Sequence, residues 1–496
     1  MFSNPIASRT KSAPLPGMTS PSHRDDSGPS TPSEVFTDAL QGTEIHDSVL
    51  DAIGNTPIIR LRQITAAEQL RCVLAVKHEA TNPGGSAKDR PALEMVLAAE
   101  RSGELQPGGV IVEPTSGNTG VGLAIVAAQR GYQCVFVTTD KVAPEKIALL
   151  KAYGAEVIVC PVAVDPDDER SYYKVAERVT VERNAYRPNQ YANENNPLAH
   201  YNTTGPEIWR QTGGKITHFV AGAGTSGTVT GIARYLKEMN PNIKIIVGDP
   251  DRSLFSGGNG RPYMVEGVGE DFYPAAWEPE LYDEVIPVSD HASFAMARRV
   301  SREEGILIGG SGGLAVVAAL EVAKRCDGDA VIVVLNPDSG RGYLSRIYDD
   351  IWMSSHGFID PADSEMSLRD FYTTHGPATL AYVDADATIG QALQHLVTQR
   401  IDSLPVCQNI PPFVPSEVRG SISIAGIVDA LTAGTGIDTS VADIVEPRLP
   451  IVGLGEAVQV ALARMDHRGA VVVFEKGKTY AVLSKTTIAS TMGNLK

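Results

Sequence analysis

From residue 45 onward the chain alternates short β-branched runs with longer stretches of helical spacing, and that alternation leaves few folds open. The runs at 72–76, 110–112, 134–137 and 157–159 are apolar and bounded by turn residues. They read as strands buried on both faces of a largely parallel sheet. Between them, 90–102, 119–130 and 144–153 carry apolar residues at helical spacing. A second series, at 219–221, 243–247 and 331–335, repeats the pattern. The expected architecture is an open α/β sheet in two lobes with a cleft between them.

The pattern changes near Trp352. Residues 366–433 and 440–496 each read as a small β-α-β-β-α unit, an internal pair packed on itself. The expected division is a disordered Ser/Pro/Thr-rich tail at 1–40, an α/β domain at 41–355, a linker at 356–366 and the pair at 367–496. The tail has no apolar core of a secretory signal, and its few basic residues leave an organelle-targeting peptide as the alternative. No apolar run reaches the roughly 20 residues of a membrane span. The net charge of −16 argues against a nucleic-acid partner. Cys72, Cys134, Cys160, Cys326 and Cys407 show neither close pairing nor metal-ligand spacing, so a reducing, cytoplasmic setting without a metal is expected.

Three stretches at strand-to-helix junctions carry chemistry. The first is Asn82-Pro83-Gly84-Gly85-Ser86-Ala87-Lys88-Asp89-Arg90. Its Pro-Gly-Gly turn lets the chain fold tightly and aim one side chain inward. With Ser86 as helix cap, Lys88 falls in the first turn, beside the positive end of the helix dipole. A cation is badly placed there, whereas an amine bound as an imine is not. A lone lysine after a loop is ordinarily a surface residue, but the other two stretches reverse that inference.

The second, Glu113-Pro114-Thr115-Ser116-Gly117-Asn118-Thr119-Gly120, gathers hydroxyls, an amide and free N–H groups at a helix start, a cup suited to a carboxylate. The third, residues 221–231, is rich in Gly, Thr and Ser and is suited to a phosphate. A dinucleotide fold would place an acid about 20 residues on, and Asp249 meets that spacing. The glycine order and Lys88 count against it. A lysine, a phosphate cup and a carboxylate cup together are what pyridoxal phosphate and an amino acid require. Ser339, after the strand at 331–335, is expected to face the pyridine nitrogen and leave it largely unprotonated, a weaker electron sink than one paired with Asp.

These motifs resemble the β-replacement family of pyridoxal-phosphate enzymes, over roughly residues 45 to 355, and most closely its cystathionine β-synthase branch. Gln190-Tyr191, residues 196–201 and Val265-Glu266-Gly267-Val268-Gly269 look like that branch's substrate region. The resemblance implies a two-lobed sheet of the tryptophan synthase β-like type followed by a tandem CBS-domain module, and a homodimer or homotetramer. It implies that Lys88 holds the cofactor and later moves the α-proton. Asn118 would touch the ring hydroxyl, while Gly224, Thr225, Ser226, Gly227 and Thr228 hold the phosphate. Thr115, Ser116 and Thr119 would bind the substrate carboxylate. Gln190, Tyr191, Glu266 and Gly267 would serve the second substrate, with Glu266 as the acid near the β-carbon.

Three departures qualify the resemblance. Animal members carry a tyrosine where this chain has Glu270. Their haem segment, with Cys and His ligands, has no counterpart before Cys72, so no haem is expected. CBS modules that bind adenosyl ligands place an Asp three residues after a Ser or Thr. Here Ser423 is followed by Gly426 and Ser484 by Thr487, which weakens the case for S-adenosylmethionine. The resulting expectation is a lyase condensing L-serine with L-homocysteine. The alternatives are a cysteine synthase using O-acetylserine and sulfide, and a non-catalytic nucleotide sensor.

Overall fold

A computed structural model describes residues 45–361, 366–375 and 380–488, apart from Ser116, Lys141, Ala143, 162–163 and 165–167. The expected N-terminal tail lies outside the described residues. Fifteen strands are present among those described: β1 (Ile58–Arg60), β2 (Val73–His78), β3 (Val110–Pro114), β4 (Gln133–Thr139), β5 (Glu156–Cys160), β6 (His218–Gly222), β7 (Lys244–Pro250), β8 (Glu284–Val288), β9 (Val331–Asn336), β10 (Val383–Asp384), β11 (Ser403–Cys407), β12 (Val418–Ser423), β13 (Ile451–Gly453), β14 (Ala470–Glu475) and β15 (Lys478–Ser484).

The larger sheet runs β1-β2-β9-β6-β7-β8, and the smaller runs β3-β4-β5. Every pairing is parallel except that of the edge strand β1 with β2. The side-chain period of two explains why these strands read as continuous apolar runs. Val220, Ile246, Ile332 and Val334 enter one core of the larger sheet. Phe219, Ile245, Val247 and Val333 enter a second. The smaller sheet repeats this, with Ile111 and Phe136 in one core and Val112, Val135 and Val137 in another. Both sheets are thus covered on both faces, and the two-lobed α/β architecture is as expected.

Two strands were not expected. β8 carries Glu284 and Pro287 at the sheet edge, where a missing N–H is tolerated. β1 has only three residues, too few for a period to show.

The C-terminal pair consists of two matching three-stranded sheets. β10 pairs parallel and β12 antiparallel with β11; β13 pairs parallel and β15 antiparallel with β14. Each of Ser423 and Ser484 accepts a hydrogen bond from the N–H three residues on (Gly426, 2.9 Å; Thr487, 3.0 Å), so both act as helix caps. The stretch expected as a linker is not slack at its start. Phe358 is buried beside Trp352, and Gly477 N–H donates to His356 O (2.8 Å). Among the described residues no helix is long and apolar enough to cross a membrane.

Candidate active site

A cavity of about 900 Å³ lies where the strand ends of the two sheets face one another. Lys88, Thr115, Asn118, Thr119, Gln190, Tyr191, Gly224, Thr225, Ser226, Thr228, Glu266 and Gly267 all line it. Stretches separated by more than a hundred residues thus converge as the motifs required.

Lys88 sits immediately before the helix Asp89–Ser102, at the capping position rather than in the first turn. Ser86 Oγ accepts from Lys88 N–H (3.2 Å), and Ala87 N–H donates to Pro337 O (2.8 Å), tying the lysine loop to the end of β9. Burial pulls the Lys88 ammonium down to about 8, against the pull of Glu270 and Asp338, which favour the charge. The neutral amine needed for an imine is therefore accessible near physiological pH.

The loop is anchored from below. Arg90 donates to Glu79 (2.7 and 2.9 Å) and Glu207 (2.7 and 2.9 Å), and Lys77 Nζ meets Glu207 Oε2 at 2.6 Å. Glu79, Arg90 and Lys77 are buried, so this network fixes the first turn of the helix rigidly.

The Thr115–Asn118 loop precedes the helix Asn118–Arg130. Thr119 Oγ1 donates to Gln190 Oε1 (2.6 Å), joining the carboxylate cup to the expected second-substrate residues. Gln190 and Asn189 donate their N–H groups to the buried Glu113 carboxylate (3.1 and 3.0 Å), which holds that turn in place. Ser116 lies outside the described residues.

The glycine loop opens the helix Gly227–Met239, and Gly224, Thr225, Ser226 and Thr228 at that helix start line the cavity. Ser226 has φ +63°. Gly227 is packed so closely that a Cβ would meet Asn196 Oδ1 at 2.2 Å, and one on Gly224 would meet Gly267 O at 2.7 Å. Asn196 donates to Thr225 Oγ1 (3.0 Å), and Thr228 Oγ1 pairs with His200 Nε2 (3.1 Å). Gly227 supports the loop without lining the cavity.

Two expectations change. Ser339 is not in the cavity wall: its Oγ accepts from Arg341 N–H (3.3 Å) and caps a short helical turn. Its neighbour Asp338 lines the cavity, buried, with Oδ2 held by Asn118 (2.9 Å) and Tyr343 (2.7 Å) and Oδ1 unpartnered. Asp249, the candidate acid of a dinucleotide site, does not line the cavity either. Burial raises its carboxyl to about 6 and Ser256 N–H donates to it (2.9 Å), so it holds the chain after β7. Glu266 is present, but both its oxygens are taken, one by Lys146 and one by Arg346.

Sequence reasoning did not assign Glu270 a role, nor find Tyr172, Tyr263, Lys146, Arg346 or Asp338. The wall also draws Pro415, Ser416 and Arg448 from the C-terminal pair. Lys146 and Tyr172 lie in the first turns of helices, Pro415 and Ser416 in a short helical turn and the others outside regular elements, so no periodic signal marks them as cavity residues. The Glu270 departure from the animal pattern was the one available hint.

The residues fit pyridoxal phosphate. An amine of lowered affinity for protons, a glycine cradle that a Cβ would fill and an unpartnered buried carboxylate oxygen meet in one cavity. Comparison with known proteins agrees. The model of the family described as pyridoxal-phosphate dependent enzyme matches residues 49–338. A cystathionine beta-synthase of Apis mellifera is 44% identical over 64% of this chain and 64% of that protein, so the match spans less than two thirds of that relative. One from Dictyostelium discoideum is 37% identical over 80% of each. A cysteine synthase of Staphylococcus aureus is 42% identical over 60% of this chain and 96% of that protein. Among solved structures, O-ureido-L-serine synthase is similar, with a TM-score of 0.59 and 35% identity over 62% of this chain and 96% of that one.

Proposed function

Because the chain belongs to the family of pyridoxal-phosphate dependent enzymes, we propose that it condenses L-serine with L-homocysteine to give cystathionine and water. The observation that carries this reading is where the matches end. Similarity to the Dictyostelium cystathionine beta-synthase takes in 80% of this chain, beyond the α/β part, while similarity to the Apis one takes in 64% and to the cysteine synthase 60%. Past the α/β part the chain folds as two matching three-stranded units, which we read as a CBS-domain pair.

Pyridoxal phosphate, when bound, supplies an electron sink that lowers the barrier to removing the α-proton of an amino acid. The chain supplies the rest. Lys88 holds the cofactor and, once released, takes the α-proton and returns it. The Gly224–Thr228 loop fixes the phosphate with backbone N–H groups and hydroxyls at a helix start. Thr115, Ser116 and Thr119 orient the substrate carboxylate, and Gln190 is positioned through Thr119 to complete that cup. Water is excluded by the wall at Tyr172, Tyr191 and Tyr263. The expected domain boundaries, a homodimer or homotetramer, and an effector site in the C-terminal pair belong to the same reading.

The test is product analysis by mass spectrometry on the purified, cofactor-loaded protein. L-serine with homocysteine and O-acetylserine with sulfide are supplied in parallel. Cystathionine as the faster product supports the proposal. Cysteine from the second pair with no cystathionine from the first would replace it with the cysteine synthase reading.

A further inference from the structure

Expelling hydroxide from serine calls for a proton at the β-carbon's oxygen, and the cavity contains four carboxylates that could be asked for it: Glu266, Glu270, Asp271 and Asp338. Glu266 is engaged by both Lys146 and Arg346, and a carboxylate between two cations does not readily carry a proton. Asp338 is buried and holds Asn118 and Tyr343. Asp271 is exposed.

Glu270 differs from all three. Among the described residues it makes no ion pair, and its side chain has one hydrogen bond, from Tyr191 Oη to Oε1 (3.2 Å). Among the described residues the second oxygen has no hydrogen-bond partner. It stands close enough to Lys88 that the two charges influence one another.

We propose that Glu270 is the acid–base residue at the substrate β-carbon, giving a proton to the departing serine oxygen and taking one back from the incoming thiol. The proposal rests on the serine–homocysteine reading. The bookkeeping of atoms closes. Lys88 takes the α-proton, and the electron pair of that C–H bond becomes the Cα–Cβ π bond as the Cβ–O bond breaks. The oxygen leaves with the Cβ–O pair, accepts the Glu270 proton and departs as water. When the thiol sulfur bonds to Cβ, its proton goes to the Glu270 carboxylate and Lys88 returns a proton to Cα. Glu270 ends protonated, as it began.

The surroundings suit a group that must both give and accept. Burial raises the Glu270 carboxyl to about 7; the Tyr191 hydrogen bond opposes this, Asp271 adds to it, Lys88 opposes it and Asp249 adds to it. Among the described residues, Tyr172 and Tyr263 also feel its charge. A group poised near neutrality is the efficient one for proton transfer at physiological pH.

Glu270→Gln and the wild type, both cofactor-loaded, would be compared with L-serine and with O-acetyl-L-serine, each with homocysteine. Acetate leaves without a proton, so the expected result is a kcat/KM loss at least about 100-fold greater with serine than with O-acetylserine. The limb near pH 7 in the serine profile should disappear. Isotope-edited infrared titration of the cofactor-free proteins adds a readout independent of turnover. Wild type should show a glutamate carboxyl titrating near 7 that Glu270→Gln lacks. Should Glu270→Gln misfold by circular dichroism, Glu270→Asp keeps the acid with a shorter reach and should still lose more with serine than with O-acetylserine. Equal losses on the two donors, or no carboxyl titrating near neutrality, would overturn the proposal while leaving the serine reading intact. A wild type that makes cysteine from O-acetylserine and sulfide but consumes no serine would overturn both.

Discussion

Arg90 donates two hydrogen bonds to Glu207, at 2.7 and 2.9 Å, from a position two residues past the lysine that defines the site. Burial pushes the Glu207 carboxyl up, but the hydrogen bonds and charges of Arg90 and Lys77 outweigh it and hold it at about 2. The charged carboxylate, held by its two cations, therefore stabilises the folded chain. Because the folded value is the lower one, that stabilisation is present above about pH 4.3 and is lost as pH falls toward 2. Glu207→Ala leaves Arg90 and Lys77 short of a counter-charge and should cost roughly 3–5 kcal/mol at pH 7. Urea unfolding checks this: the gap between wild type and variant should narrow as pH is lowered from 5. A gap that stays constant with pH would mean packing, not the ion pair, is what the substitution removes.

Lys88 itself stands outside that network, so Lys88→Ala should change chemistry and leave stability nearly intact. Borohydride should fix the cofactor covalently on the wild type and not on the variant. Burial lowers the amine to about 8, so the neutral form becomes abundant well below the usual lysine range. The rate of cofactor attachment to the cofactor-free protein, followed by absorbance, should therefore rise with pH through a midpoint near 8. A midpoint at the ordinary lysine value, about 10.4, would show that the amine is solvated in the free protein.

How much of this was legible follows from where each residue sits. Lys88, Asn118 and Gly224–Thr228 could be read because each motif punctuates a switch from a period of two to a period of 3.6, which the sequence displays. Ser339 caps a turn while its neighbour Asp338 lines the cavity, a difference of one position that no pattern in the chain displays. Which of Asp338 and Ser339 faces the cavity depends on the turn at Gly340–Tyr343, not on any pattern in the chain. Glu266 and Glu270 look alike in sequence. They are distinguished by Lys146 and Arg346, 120 and 80 residues from Glu266, whose convergence is tertiary.

Gly227→Ala tests the phosphate cup. The added Cβ would fall 2.2 Å from Asn196 Oδ1, too close to persist, so Asn196 must move. That side chain also donates to Thr225 Oγ1 and to Gln190 O (2.9 Å), so displacing it disturbs both the glycine loop and the neighbouring substrate wall. Overpacking of this kind costs about 1–3 kcal/mol. Cofactor affinity by equilibrium dialysis should fall by roughly tenfold or more, the equivalent of ~1.4 kcal/mol. Gly342→Ala, where a Cβ meets nothing within 4 Å, serves as the control and should bind as the wild type does. Equal affinities in all three proteins would remove Asn196 from the support of the cup.

Glu417 joins the C-terminal pair to the loop that leads into the cavity wall. Its buried carboxylate receives Arg252 Nη1 and Arg261 Nε, both at 2.8 Å, and Pro412 O receives Arg252 (2.5 Å) and Arg261 (3.1 Å) as well. Residues 252–262 run directly into Tyr263–Glu270, so the clamp bears on the Glu270 position through the backbone. Removing the carboxylate strands two guanidinium groups, a loss of about 3–5 kcal/mol for buried pairs. Glu417→Ala should therefore speed amide exchange in 252–262 and 412–417 together, while β2 and β9 in the larger sheet keep their protection. Hydrogen exchange read by mass spectrometry separates the cases. Faster exchange in the C-terminal loop alone would mean that the two arginines find other acceptors, and that the cavity wall does not depend on Glu417.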